Sequence, residues 1–100
     1  MVKYKVRISK SAKRDLEEII EYLNTLSQIA ALKQYDHIIE KISSLSEMPD
    51  RCTLLKNPYL QVKGYRTLIV DNYLVFFIIK GDTVQIRRIL YGRRNYEWML

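Results

Sequence analysis

The fold is decided by residues 63–100, which read KGYRTLIVDNYLVFFIIKGDTVQIRRILYGRRNYEWML. Three apolar runs lie in this segment, at 65–70, 73–79 and 83–91, and two short polar joints separate them, Asp71-Asn72 and Lys80-Gly81-Asp82. Joints rich in Asp, Asn and Gly between β-branched and aromatic runs are hairpin signals. The segment therefore predicts three antiparallel strands in a meander.

The middle run lacks the polar alternation of a half-exposed strand. Residues 74–79 read LVFFII. Such a run is typical of a central strand that is covered on both faces. We expect one of Phe76 and Ile78 to lie beneath whatever helices cover the sheet, with the other residues of the strand filling the opposite face.

The first half of the chain predicts a strand and two helices. Residues 2–8 alternate apolar with basic side chains, as a strand with one buried face does. Ser9 or Ser11 can cap a helix that runs to about Leu26. A second helix follows and ends at Met48-Pro49-Asp50. Its apolar stripe consists of Leu32, Tyr35, Ile38, Ile39, Ile42 and Leu45.

These elements occur in the order strand, helix, helix, strand, strand, strand. Residues 49–63 hold two prolines and no periodicity, so they predict a surface loop with one helical turn near 51–55. The fold class is α+β: residues 1–100 form one domain in which an antiparallel helical hairpin covers a mostly antiparallel sheet.

Charge is divided unevenly between the two halves of the chain. Residues 1–50 hold eight Lys or Arg and eight Asp or Glu, whereas residues 51–100 hold nine and three. The net charge of +6 therefore comes wholly from the sheet half. This clustering favours an anionic partner, such as nucleic acid or an acidic protein segment, although a basic surface kept for solubility is the alternative.

Several functional classes lack support in the sequence. One cysteine (Cys52) and one histidine (His37) do not predict a zinc site or an internal disulfide, and we expect neither metal nor cofactor. His37 is interpreted as a helix-surface residue, and Glu17, Glu18 and Glu21 as an outward helix face. The basic first residues contain no apolar core of a signal peptide, and no stretch would span a membrane. A reducing cytoplasm fits best.

The strongest candidate site lies at the end of the last strand. Four arginines are interleaved with aromatic residues there: Arg87, Arg88, Tyr91, Arg93, Arg94, Tyr96 and Trp98. Guanidinium groups bind phosphate in a bidentate manner, and aromatic rings stack on bases. The alternative is that the aromatic residues close the edge of the core while the arginines solvate it. The pattern alone favours neither interpretation.

The element order, the segment KGYRTLIVDNYLVFFII and the tail VQIRRILYGRRNYEWML resemble the RelE/ParE superfamily of bacterial toxins. The resemblance implies a growth-inhibiting toxin of a type II toxin–antitoxin, plasmid-stabilising system, with a cognate antitoxin that neutralises it. RelE-like members cleave mRNA in the ribosomal A site without a metal, using Lys, Arg and Tyr. ParE-like members inhibit DNA gyrase and are not known as nucleases.

The resemblance also bears on individual residues. Arg94 matches an arginine of the RelE pattern, and Arg66 falls where that pattern has basic residues. Leu74, however, stands where RelE-like nucleases usually carry a catalytic arginine, and Leu100 stands where some carry a tyrosine. If the chain is a nuclease, Arg66 and Arg94 are its catalytic candidates.

Three hypotheses follow. The first, which the phrase YRTLIVDNYLVFF favours, is a ParE-like gyrase inhibitor. The second is a RelE-like ribosome-dependent endoribonuclease, and the third is a non-catalytic relative that binds nucleic acid. On the first hypothesis, we expect deletion of residues 96–100 to abolish growth arrest while the fold survives.

Overall fold

The computed structural model describes residues 3–92 and 96–100. A short strand, β1 (Lys5–Ile8), is followed by two helices, α1 (Lys10–Leu26) and α2 (Gln28–Ser43). A short helix, α3 (Pro58–Val62), precedes the meander of β2 (Arg66–Val70), β3 (Tyr73–Lys80) and β4 (Thr83–Tyr91). Single 3₁₀ turns occur at Ser44–Ser46, Pro49–Arg51 and Glu97–Met99.

The four strands form one sheet in the order β1-β4-β3-β2. β2, β3 and β4 pair antiparallel, as the hairpin joints predict, and β1 pairs parallel to β4. Asp71 and Gly81 open the two-residue turns with positive φ angles of 55° and 58°. The predicted α+β fold with a mostly antiparallel sheet is confirmed. Val2, the first residue of the predicted N-terminal strand, lies outside the described residues.

α1 begins after Ser9 and ends at Leu26, as predicted, whereas α2 ends at Ser43 rather than at Met48-Pro49-Asp50, because a 3₁₀ turn at Ser44–Ser46 replaces its expected last turn. The side chain of Ser9 accepts a hydrogen bond from the backbone N–H of Ala12 and so caps α1. Ser27 ends α1 and caps α2 through the N–H of Ala30, so one residue makes the turn of the hairpin. The hairpin covers one face of the sheet.

The sheet is covered on both faces, which confirms that β3 is central. Beneath the hairpin, Val75 and Phe77 of β3 pack with buried residues of both helices. Phe76 and Ile78 face the other side, where α3 and residues 96–100 form a second layer. The expectation that one of Phe76 and Ile78 would lie beneath the hairpin is wrong, because residues two apart on a strand share a face.

Two further sequence predictions are corrected. The helical turn expected near 51–55 lies at Pro49–Arg51, and α3 was not predicted. Asn57 caps α3 and Pro58 occupies its first turn, but five residues are too few to show a helical period. In α2, Leu32 and Tyr35 are exposed, because the buried face runs through Ala31, Ile38 and Ile42 instead. No described helix is long and apolar enough to cross a membrane.

Candidate target-binding surface

Arg87 owes its position to a β-bulge in β4. Phe76 pairs with Arg88 and Phe77 pairs with Ile86, so Arg87 is the extra residue between them. A bulge redirects the side chain that it carries. Arg87 lines a groove of about 480 Å³ on the sheet face away from the hairpin, together with Arg7, Ser11, Tyr65 and Gln85. We call this the basic groove, because its described lining contains three arginine side chains and none of Asp or Glu.

Arg88 lies beside Arg87 but has a different environment. Its Nε and Nη2 donate to Asp15 of α1 at 2.7 and 3.0 Å, and its Nη1 donates to the backbone carbonyl of Met99 at 3.2 Å. The hydrogen bonds to Asp15 hold the pKa of the guanidinium above its ordinary value. Arg88 therefore joins α1, β4 and the end of the chain, which makes it a structural residue in this state.

The aromatic residues of the candidate site divide into two kinds. The ring of Tyr96 packs on Phe76, with ring centroids 4.6 Å apart, and belongs to the second layer. Tyr91 and Trp98 are 53% and 78% exposed, so both present aromatic surface to solvent. Tyr91 also contacts Tyr73 edge to face. Arg93 and Arg94 lie outside the described residues.

Arg66 points at backbone rather than at solvent. Its Nη1 donates to the carbonyl oxygen of Asp50 at 3.1 Å and to that of Cys52 at 2.5 Å. These bonds tie β2 to the preceding loop. Leu74 and Leu100, which occupy two positions of interest for a nuclease, both pack in the second layer.

A second groove, of about 730 Å³, lies between the hairpin and the outer part of β4. We call it the apolar groove. β1 pairs with β4 only as far as Ile86, so α1 rather than a strand flanks β4 beyond that point. Tyr22 and Leu26 line this groove and are 66% and 67% exposed. Such exposure of large apolar side chains along a groove is typical of an interaction site.

The remaining titratable candidates have structural roles or none. His37 Nδ1 donates to Asp71 Oδ2 at 2.7 Å, and Gln34 Nε2 donates to the same oxygen at 3.1 Å. These bonds hold the pKa of Asp71 below its ordinary value and tie α2 to the β2–β3 turn. Burial raises the pKa of the Cys52 thiol, although Arg51 and Arg66 act in the opposite direction. A raised thiol pKa is typical of an inert cysteine.

The remaining candidates are the carboxylates of α1 and the possible ligands of a metal ion. Glu17, Glu18 and Glu21 are exposed on α1, as the helical spacing predicted. Within residues 3–92 and 96–100, no three His, Cys, Asp or Glu side chains come together as a metal site would require.

Sequence reasoning missed three residues of these surfaces. Asp15 carries no pattern that distinguishes it from the other acids of α1, since its role depends on β4 across the fold. Arg7 could have been found, because strand alternation already placed it on the side of β1 opposite the buried residues. Tyr22 could have been found as a large apolar residue outside the buried stripe of α1.

Comparison with known proteins places the chain in a family. A model of the ParE toxin of the type II toxin–antitoxin system parDE matches residues 6–96. Among curated proteins, none matches. A chain of the chromosomal ParDE toxin–antitoxin system from P. aeruginosa is similar in fold, with a TM-score of 0.79 and 23% identity over 93% of this chain and 100% of that one.

A second solved structure has the same fold. A chain of the toxin–antitoxin complex RelBE2 from Mycobacterium tuberculosis has a TM-score of 0.67 and 22% identity, over 90% of this chain and 99% of that one. The family match covers nearly the whole sequence, including both long helices, the three strands of the meander and the bulge. The chain belongs to the ParE toxin family of type II toxin–antitoxin systems, within the RelE/ParE superfamily.

Proposed function

We propose that this toxin arrests growth by inhibiting DNA gyrase in the cytoplasm, and that a cognate antitoxin neutralises it. The observation that carries the choice of gyrase over mRNA concerns the sheet face opposite the hairpin. The second layer covers β3 and the far end of β4 on that face with apolar side chains, including Leu74 and Leu100. A nuclease of the RelE type would need polar groups there.

The chemistry of RNA cleavage supports this choice. Without a metal, a nuclease must stabilise a pentacovalent phosphate and protonate a leaving oxygen. Leucines at positions 74 and 100 can do neither, and Arg66 already donates to two backbone carbonyls. Loss of one transition-state donor typically lowers the rate about 10²–10³-fold, so the loss of two leaves little catalysis.

A gyrase inhibitor needs only a binding surface. Arg87, Tyr91 and Trp98 are accessible for contact with a target, and Arg93 and Arg94 stay part of the proposal from the sequence. Arg88 and Tyr96 support the surface from beneath, since each is engaged with the rest of the fold. Aromatic and arginine side chains dominate the energetics of protein interfaces.

The apolar groove is the proposed antitoxin site. Its exposed Tyr22 and Leu26 suit the apolar face of an amphipathic segment, and the exposed ring of Tyr91 lies at its sheet side. The family match and the two toxin–antitoxin structures support such a partner. A segment that folds on binding would wrap more surface than a rigid one of equal length.

Induced expression in a bacterium, followed by assays of purified protein, tests the proposal. We expect gyrase supercoiling to be inhibited while mRNA on purified ribosomes stays intact. Trp98→Ala should weaken inhibition at least about tenfold, as loss of an aromatic hot spot does. Tyr35→Ala, an exposed aromatic change on α2, is the matched control and should not.

Two other outcomes would replace the proposal. Cleavage of ribosome-bound mRNA with gyrase unaffected would make the chain a RelE-like endoribonuclease. Absence of both effects, with nucleic acid bound, would make it a non-catalytic nucleic-acid-binding relative.

A further inference from the structure

The two sheet faces differ in how much of their surface is covered. On the face opposite the hairpin, the second layer covers β2, β3 and the far end of β4 with Leu60, Tyr96, Met99 and Leu100. β1 and the near half of β4 lie beyond it. Val6 and Ile8 pack beneath the hairpin, so Lys5 and Arg7 project from this open part of the face.

The open part of this face is cationic. Arg7 pairs in register with Gln85, and Arg87 lies two residues further along β4. Strand spacing therefore puts the two arginine Cα atoms roughly 8 Å apart on adjacent strands. Among the described residues, neither Arg7 nor Arg87 makes an ion pair. The hydroxyl of Ser11 and the amide of Gln85 add hydrogen-bonding groups to the same groove.

Two unpaired guanidinium groups in one groove are unfavourable for the isolated protein. Like charges at this separation repel each other, and a strand position needs no arginine for stability. The bulge that places Arg87 also interrupts the regular ladder of β4. Both features become favourable when an anion lies between the two arginines.

We infer that the basic groove binds the phosphodiester backbone of a nucleic acid, with Arg7 and Arg87 each contacting a phosphate. A protein partner fits less well, because a folded segment needs apolar anchors, and the exposed Tyr22 and Leu26 line the apolar groove rather than this one. Backbone binding needs cations and hydrogen-bond donors alone, and it carries no sequence preference. The inference does not rest on gyrase as the target.

Fluorescence anisotropy with labelled duplex DNA, single-stranded DNA and RNA of equal length tests the inference. Each phosphate contact contributes about 0.9 to the slope of log K against log salt on duplex DNA. The Arg7→Gln, Arg87→Gln double variant should therefore lower that slope by about 2 and the affinity about 10–30-fold at physiological salt. The charge-matched control is Arg14→Gln with Lys33→Gln, two exposed changes on the hairpin, which should keep the slope.

The three probes identify which nucleic acid is bound, and binding of any of them with the expected slope supports the inference. It is overturned if the wild-type protein binds none at low salt, or if both double variants lose affinity equally, since net charge would then explain binding. Competition by polyglutamate as strong as by nucleic acid of equal charge would also overturn it. Thermal melting of both variants shows that the fold is kept. The assay contains neither gyrase nor ribosomes, so its result is separate from the proposed function.

Discussion

Asp15 and Arg88 form an ion pair that joins the helical hairpin to β4. The carboxylate accepts two hydrogen bonds from the guanidinium, at 2.7 and 3.0 Å, and a third from the backbone N–H of Ile89 at 3.0 Å. The pairing of β1 with β4 ends at Ile86. Beyond that residue, Asp15 lies beside β4 where a neighbouring strand would otherwise pair. A side chain of α1 thereby completes the edge of the sheet.

Asp15→Asn should destabilise the fold. The side chains of Asp15 and Arg88 are only 11% and 24% exposed, so Arg88 would be left partly buried without its counter-charge. Hydrogen bonds to charged groups contribute about 1.5–3 kcal/mol each, and we expect a loss of about 2 kcal/mol in the free energy of unfolding. Urea denaturation measures this free energy.

The control is Glu18→Gln, an exposed change one turn further along α1, which should change stability by less than about 0.5 kcal/mol. An equal effect of both changes would contradict the role of the Arg88 contact.

Phe76→Ala and Phe77→Ala should have different effects, because Phe77 packs beneath the hairpin and Phe76 packs in the second layer. Both side chains are fully buried, and each truncation should cost about 3–5 kcal/mol. Of these two phenylalanines, only Phe76 contacts Tyr96, so truncation of Phe76 should also loosen the packing of residues 96–100. Carboxypeptidase digestion under native conditions should then trim the Phe76 variant faster than the Phe77 variant. Equal trimming would show that Tyr96 does not depend on Phe76.

The sequence predicts the strands, the helical hairpin and the fold class because these follow from periodicity and turn residues. It cannot predict which face of β3 meets the hairpin, since the run at 74–79 is apolar on both sides. Nor can it predict the bulge at Arg87, because a bulge depends on how β4 pairs with β3. We expect deletion of residues 96–100 to destabilise the fold, contrary to the expectation from the sequence, because Tyr96, Met99 and Leu100 pack against the second core.

Asp71 should make the stability of the fold depend on pH in the acidic range. Its pKa lies below its ordinary value in the folded protein because Gln34 and His37 donate to the carboxylate. A carboxyl group of lowered pKa stabilises the fold above its unfolded pKa, and this contribution is lost as pH falls through the folded value. Melting temperatures should therefore fall more steeply below about pH 4 for wild type than for Asp71→Asn. Asparagine tolerates the positive φ at this position, so backbone strain does not confuse the comparison.

The control for this prediction is Asp36→Asn, a change in an exposed carboxyl group on α2. This variant should follow the acid dependence of the wild-type protein. The prediction is wrong if the Asp71 and Asp36 variants show the same dependence.

Substitutions in the apolar groove should abolish neutralisation by the antitoxin and leave toxicity intact. Tyr22→Gln with Leu26→Gln removes the exposed apolar side chains of the groove, and surface changes of this kind alter stability by about 0.5 kcal/mol or less. If the antitoxin packs there, its affinity should fall at least about 100-fold, as loss of two buried anchors costs about 2 kcal/mol or more each. Co-expressed antitoxin should then fail to rescue growth, while the toxin alone still arrests it.

Ile29→Gln with Leu32→Gln, equally exposed on α2 but outside the groove, should leave rescue intact. Rescue that survives the groove variant, or fails equally in both, would place the antitoxin elsewhere on the toxin.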